Sequence, residues 1–547
     1  MNGQPTGKAV TRLLDLPPPK AMGFLVLVSL LLFLPGFFGL PPVDRDEVLF
    51  SQASKQMVES GDFIDIRVGD RPRYKKPVGI YWLQAAAYGL AGESHRHDIW
   101  VFRLPSLLAA TGAVLLTWLL GLSLAGRRAG MIAGLLMASA FLLGTEARLA
   151  KTDATLLFTI ISAQYALGRA FVRGTAGPGL AVLFWGALGA GILVKGPVGP
   201  MVTGFTILAL IAFTREARWL KPLLRLRGVF LLLAITLPWY VLIHLKAGDL
   251  FWQESLGRDM AAKITSAQES HGAPPGSYLV AFWATFFPGS LFVLPVIGKA
   301  WRARRERVVI FLLSWILPTW VLFELLPTKL VHYVLPTYPA IALLVAFGLL
   351  QAPAPGRATR LFMLLLLLIP PALLGAIALE APEYAAGSGA RPFTLWLAFA
   401  LLLPLGGLAG WLIWRKRLLQ AVFLAPLLSL ALSIGLYPTL ARLPGLWPAQ
   451  SAAAIIHSFS GCARPDLATY GYYEASLIFL TDSRMKRAPR AEEIDPACAI
   501  VVVEARAEEG WQDVRAAIGA EFRRLGQVDG LDLATGKPVR LGIYATP

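Results

Sequence analysis

Pro42-Val43-Asp44-Arg45-Asp46-Glu47 is an acidic knot set directly behind an apolar run at 21–40, and its placement decides how the chain is organised. The run is long enough to cross a hydrocarbon core of roughly 30 Å, and Lys8, Arg12 and Lys20 precede it. A secretory signal would be shorter and end in a small-x-small cleavage site, which is missing here. An uncleaved anchor with a cytoplasmic N-terminus is therefore expected. It puts Asp44, Asp46 and Glu47 at the far membrane surface, a depth where ionisable side chains meet headgroup phosphates and sugars.

The composition agrees with a chain built around such spans. Of 547 residues 56% are hydrophobic and 16% charged, with mean hydropathy +0.59, whereas soluble domains carry about a quarter charged residues. Apolar runs recur as far as the region of Tyr437, and about thirteen transmembrane helices are expected from their lengths. Counted from an inside N-terminus, the basic clusters all fall in inner loops: Arg127-Arg128, Arg169 with Arg173, the group from Arg215 to Arg227, the group from Lys299 to Arg307, Arg357 with Arg360, and Arg415-Lys416-Arg417. Cytoplasmic connections concentrate Lys and Arg in this way. The formal net charge of +17 is thus mostly a topology signal, and no basic-aromatic platform points to nucleic acid.

The outer loop 42–100 is where chemistry is expected. Val48, Phe50, Ala53, Met57 and Val58 have the spacing of an amphipathic helix over 47–60 that lies in the interface. A short extended stretch with Phe63, Ile64 and Ile66 leads to Arg71-Pro72-Arg73-Tyr74-Lys75-Lys76-Pro77, followed by an interfacial or part-inserted segment at 78–90. Beyond Arg442 the chain alternates polar helical stretches with short apolar runs such as 499–503 and 541–544. The expected division is a transmembrane domain at 1–441 and a soluble α/β domain at 442–547, on the same face as the acidic loop. Two cysteines exclude a disulfide-rich scaffold and a Cys-based zinc cluster. Cys462 and Cys498 fit either a disulfide in an oxidising compartment or two unpaired core residues.

Each candidate functional group has an ordinary alternative. Asp46 and Glu47 read as solvated loop acids or, given the span just before them, as groups that activate an acceptor or hold a cation. Asp153 closes Glu146-Ala147-Arg148-Leu149-Ala150-Lys151-Thr152-Asp153 and begins a helix, where an acid also suits the dipole. Lys195, at the outer end of a span, either snorkels to headgroups or joins Arg71, Arg73, Lys75 and Lys76 in a cationic set suited to a phosphate leaving group. Lys329, His332 and Tyr333, bracketed by Pro327 and Pro336, line a cavity or anchor the interface. A lone His271 is expected to be a surface residue.

These residues in this order resemble the GT-C class lipid-linked glycosyltransferases of the protein O-mannosyltransferase superfamily, and most of all the 4-amino-4-deoxy-L-arabinose lipid A transferases. The resemblance runs nearly full length. It rests on the acidic pair Asp46-Glu47, Arg73-Tyr74-Lys75-Lys76-Pro77 with Tyr81-Trp82, Arg103-Leu104-Pro105-Ser106, Asp153, Lys195-Gly196-Pro197, His332-Tyr333-Val334-Leu335-Pro336 and Tyr470-Gly471-Tyr472-Tyr473. It implies a polytopic GT-C fold and inverting transfer from a polyprenyl (undecaprenyl) phosphate sugar to a periplasmic acceptor such as lipid A, at the bacterial inner membrane. By the same resemblance Asp46, Asp153 and Glu47 would be catalytic. Arg73, Lys75, Lys76, Tyr81, Lys195, Lys329, His332 and Tyr333 would bind substrate. No nucleotide cofactor is implied, no residue is assigned to a metal, and a divalent cation is left open. Lys75 stands where those transferases have an acid, Leu49-Phe50 where they have Arg-Tyr, and Glu254-Ser255 where a loop His follows a Glu, so the sugar and the acceptor stay open. Transfer of another sugar to a protein or glycan is the alternative. A secondary transporter would instead show two related halves and mid-span charges.

Overall fold

The computed structural model describes residues 8–174, 177–255, 257, 272–351, 354–384, 393–462 and 464–546; His271 lies outside them. Among the described residues nine helices are long and apolar enough to cross a membrane. Three bent pairs raise the number to twelve if each pair is one span, and Val198–Thr214 is a shorter apolar helix. The chain is a polytopic helical membrane protein with a C-terminal β-sheet. The expected total of about thirteen spans depends on how these broken helices are counted.

The first anchor is shorter than its apolar run. Helix Pro18–Phe33 stops before Pro35, which lacks a backbone donor. Gly36 follows at φ 80°, packed so closely that a Cβ there would lie 2.3 Å from the Cβ of Tyr437. The carbonyls of Phe37, Leu40 and Pro41 beyond the helix are taken up by Arg103, as buried carbonyls require.

The outer loop forms helix Asp46–Ser60, a two-stranded ribbon of β1 (Arg67–Val68) and β2 (Arg71–Pro72), and helix Gly79–Ala91. The first helix is not a free interfacial helix: nine of its fifteen residues are buried, packed against Gly79–Ala91 and the short helix Ala475–Leu480. Gly79 meets the end of helix Pro178–Lys195 so tightly that a Cβ would fall 2.8 Å from the Leu193 carbonyl. This close approach is available only to glycine, and it joins the segment that carries Lys75 and Lys76 to the end of the helix that carries Lys195.

The C-terminal sheet comprises β3 (Asp466–Tyr470), β4 (Lys486–Arg487), β5 (Ala499–Glu504), β6 (Arg523–Asp532) and β7 (Lys537–Ala545), in the order β4-β3-β5-β7-β6. The first three strands are parallel, and β7 is antiparallel to β5 and β6. Helices cover both faces: Ala452 and Ile456 pack on Ile500 and Val502, and Trp511 on Val501 and Val503. A strand buried on both sides needs an unbroken apolar run, which accounts for Ala499-Ile500-Val501-Val502-Val503. Cys462 and Cys498 form a disulfide with a Cα separation of 6.1 Å.

Asp44 ties this sheet to the acidic loop by accepting from the Ser476 N–H at 3.0 Å and the Ser476 hydroxyl at 2.5 Å. Burial, helped by the neighbouring charge of Glu474, pushes its carboxyl up from 3.8 to about 7. A raised folded-state value means that stability from this group is full below 3.8 and is lost as the pH rises through about 7. Melting curves of detergent-solubilised protein from pH 5 to 8 should therefore show a downward slope that Asp44→Asn flattens. Parallel slopes for both proteins would refute the assignment.

Candidate active site

A cavity of about 900 Å³ opens between the outer-loop lysines and the spans that follow. Its walls are apolar and aromatic, with Met201, Leu237, Tyr240, Trp252, Phe323 and Leu335 among them, and its polar lining includes Lys75, Lys76, Asp153, Lys195, His332 and Tyr333. An apolar chamber with few convergent polar groups suits a greasy ligand with a charged head.

Four elements supply these polar groups. Helix Asp153–Arg173 presents Asp153 from its first position, and helix Pro178–Lys195 presents Lys195 from its last. The 3₁₀ turn Val331–Thr337 carries His332 and Tyr333, and the turn before Gly79–Ala91 carries Lys75 and Lys76. Lys195 Nζ donates to Asp153 Oδ1 at 2.5 Å and lies 5.6 Å from the Tyr333 ring centroid. His332 stands between two acids, with Nε2 3.7 Å from Asp153 Oδ1 and Nδ1 3.7 Å from Glu146 Oε1. Lys151 Nζ completes the row by donating to Glu146 Oε1 at 3.1 Å. Burial works against the charge of Lys151, but Glu146, Asp153 and Asp46 outweigh it and hold the ammonium above its ordinary value. Asp46 is exposed at the start of its helix, within electrostatic reach of Lys151 and His332.

Residues 75–242 match the family described as dolichyl-phosphate-mannose-protein mannosyltransferase. The chain is 28% identical over 426 residues, 75% of its own length and 75% of the relative's, to the undecaprenyl phosphate-alpha-4-amino-4-deoxy-L-arabinose arabinosyl transferase of Pseudomonas aeruginosa strain UCBPP-PA14. It is similar in fold to ArnT from Cupriavidus metallidurans, crystallised with undecaprenyl phosphate, at a TM-score of 0.76 and 19% identity over 96% of this chain and 97% of that one. It is also similar to the oligosaccharyltransferase AglB from Archaeoglobus fulgidus, at a TM-score of 0.50 and 14% identity over 90% of this chain and 70% of that one. In sequence and in fold the chain is similar to these membrane glycosyltransferases.

The structure holds several of the expected residues away from the cavity wall. Glu47 is 1% exposed: Oε1 accepts from Arg103 Nε at 2.7 Å and from the Ala150 N–H at 2.8 Å, while Oε2 accepts from Arg103 Nη2 at 2.9 Å and from the Val43 N–H at 3.0 Å. Such a carboxylate ties loops together. Tyr81 is fully buried against Phe50, with ring centroids 5.3 Å apart, and Arg73 lies over the same Phe50 ring at 5.1 Å. Lys329 turns back to donate to the Leu326 carbonyl at 2.6 Å. None of these four is in the wall, and neither is Asp46.

Two members of the polar row, Glu146 and Lys151, carry no role in the sequence reading although both lie in the quoted stretch before Asp153. Their signal is weak, because nothing in the spacing tells that Lys151 folds back onto Glu146. Ser255, standing where the resemblance leads one to expect a His, is in the cavity wall beside Trp252. Glu146, Asp153 and His332 each offer a ligand atom within 4.8 Å of the others, donors suited in kind to a divalent cation. Lys151 and Lys195 already counter the two carboxylates, so a cation would have to compete with both ammonium groups.

Proposed function

We propose that this protein is a glycosyltransferase that moves a sugar from a polyprenyl-phosphate donor, undecaprenyl phosphate, to lipid A on the periplasmic face of the inner membrane, in an aminoarabinose-type transfer. The observation that carries the reading is the cavity of about 900 Å³ with apolar walls and Lys75, Lys76 and Lys195 in its lining. An isoprenoid chain would fill the walls, and its phosphate would meet the lysines. The names of the relatives support the choice of carrier and sugar. The basic loops that fall together in the sequence support the orientation, with 442–547 as a periplasmic α/β unit.

In this reading an acceptor oxygen attacks the anomeric carbon from the face opposite the carrier. The bond from that carbon to the phosphate oxygen breaks, its electron pair stays on the phosphate, and the configuration inverts. Lys195 and Lys76 stabilise the charge that grows on the leaving phosphate, since fixed cations in a water-poor site act strongly where charge develops. A phosphate acceptor is already ionised and needs no base, so Asp46 and Asp153 orient the acceptor or pair with the sugar's ammonium. A hydroxyl acceptor would instead pass its proton to Asp46. Lys75, in place of an acid, favours a second reading in which a different sugar is accepted.

Mass spectrometry of lipid A and surface glycans from cells with and without the chain tests this. One aminopentose added to lipid A is the expected difference. A hexose or pentose on another envelope molecule would move the assignment to the second reading. No difference in any envelope glycoconjugate, with solute uptake into vesicles instead, would replace the enzyme by a transporter.

A further inference from the structure

We infer that the short helix Ala475–Leu480 of the C-terminal region is a clamp that positions the acidic loop, with Ser476 acting on Asp46 through Asp44. The inference rests on the reading of Asp46 given under the proposed function.

Ser476 holds both oxygens of the Asp44 carboxylate, one through its N–H at 3.0 Å and the other through its hydroxyl at 2.5 Å. Asp44 lies two residues before Asp46, the first residue of helix Asp46–Ser60. Farther along that helix, Gln52 Nε2 donates to Ser483 Oγ at 2.9 Å and Lys55 Nζ to the Phe479 carbonyl at 3.1 Å. The Lys55 side chain is 1% exposed, and a buried ammonium needs such an acceptor. The same carbonyl receives His97 Nδ1–H at 2.7 Å, a tautomer assigned because Arg96 Nε donates to His97 Nε2 at 2.9 Å. The Phe479 ring is fully buried and packs edge-on against Phe102 at 5.4 Å. This six-residue helix, with Ser483 just past its end, lies 382 to 432 positions away in sequence by these bonds and grips the residue two before the acidic helix, the middle of that helix, and the end of the loop at His97. Asp46 makes none of these contacts and stands at the exposed tip, so its position is set by neighbours on either side.

The test uses the full chain in proteoliposomes, with Ser476→Ala, Ser476→Thr and Asp46→Asn beside wild type. The donor is the radiolabelled undecaprenyl-phosphate sugar, aminoarabinose or hexose, that wild type turns over. Ser476→Ala should lower kcat roughly tenfold through misplacement of the acid, with the donor KM unchanged, and Ser476→Thr, which keeps the hydroxyl, should restore it. A wild-type rate in Ser476→Ala while Asp46→Asn is inactive would overturn the clamp and leave the proposed function standing. An equal loss in donor affinity, or no rescue by Thr at an unchanged melting temperature, would also overturn it. Full activity of Asp46→Asn would overturn the role of Asp46 and the clamp together.

Discussion

Lys195→Ala is expected to slow transfer by about a hundredfold to a thousandfold, the usual cost of removing one group that stabilises charge in a transition state. Lys195 is a cavity cation with a fixed address: it ends a membrane helix, stays 13% exposed, and is held 2.5 Å from Asp153. Its removal also leaves the buried charge of Asp153 without that partner, which destabilises the fold by itself. The two effects separate in the double variant Asp153→Asn with Lys195→Met, which buries no charge at either position. Thermal stability should recover toward wild type while transfer stays lost. Should the double variant regain activity along with stability, the lysine serves the fold and the chemistry lies elsewhere. Electrophoretic or mass-spectrometric detection of the glycosylated product, together with melting curves of the same preparations, gives both readouts.

Breaking the Arg103–Glu47 pair should cost the most stability. All five N–H groups of Arg103 are engaged: two on Glu47 at 2.7 and 2.9 Å, two on the carbonyls of Phe37 and Leu40, and one on that of Pro41. Glu47 in turn collects the N–H groups of Val43 and Ala150. Loss of one partner from such a buried pair costs about 3–5 kcal/mol, so Arg103→Ala and Glu47→Ala should yield little folded protein on size-exclusion chromatography in detergent. Replacing both by Met should not rescue it. An apolar pair suits a site where only two charges face one another, whereas here three backbone carbonyls and two N–H groups would lose their partners. Arg103→Lys should fail as well, because an ammonium cannot reproduce the fork. A stable, monodisperse Glu47→Ala protein would show that the hub is dispensable and would return Glu47 to consideration as a reacting acid.

Sequence and structure divide the problem along a physical line. The membrane class, the helices that begin at Asp153 and end at Lys195, and the change of character past Arg442 are legible because they depend on local composition. A span needs a run of apolar residues, and a strand covered on both faces needs Ala499 to Val503 without a break. The motifs also brought Lys75, Lys76, Asp153, Lys195, His332 and Tyr333 to notice, and these six share one cavity. What local pattern does not carry is the direction a side chain takes once neighbours arrive from distant parts of the chain. Glu47 and Asp46 are adjacent in sequence, yet one is sealed under Arg103 and the other stands exposed, because successive positions on a helix point about 100° apart. Lys151 and Glu146 acquire their place in the polar row only through the fold of the turn that joins two spans.

By itself, the sequence determined that this chain crosses a membrane many times and which charged residues are available at the surface holding the acidic loop. Only the tertiary structure decided which of those charges face the cavity, which are consumed in holding the loops, and that a helix near the end of the chain grips the loop near its beginning. Transfer energies of side chains fix the first from composition alone, while the second depends on contacts between residues up to 432 positions apart, which no local pattern specifies.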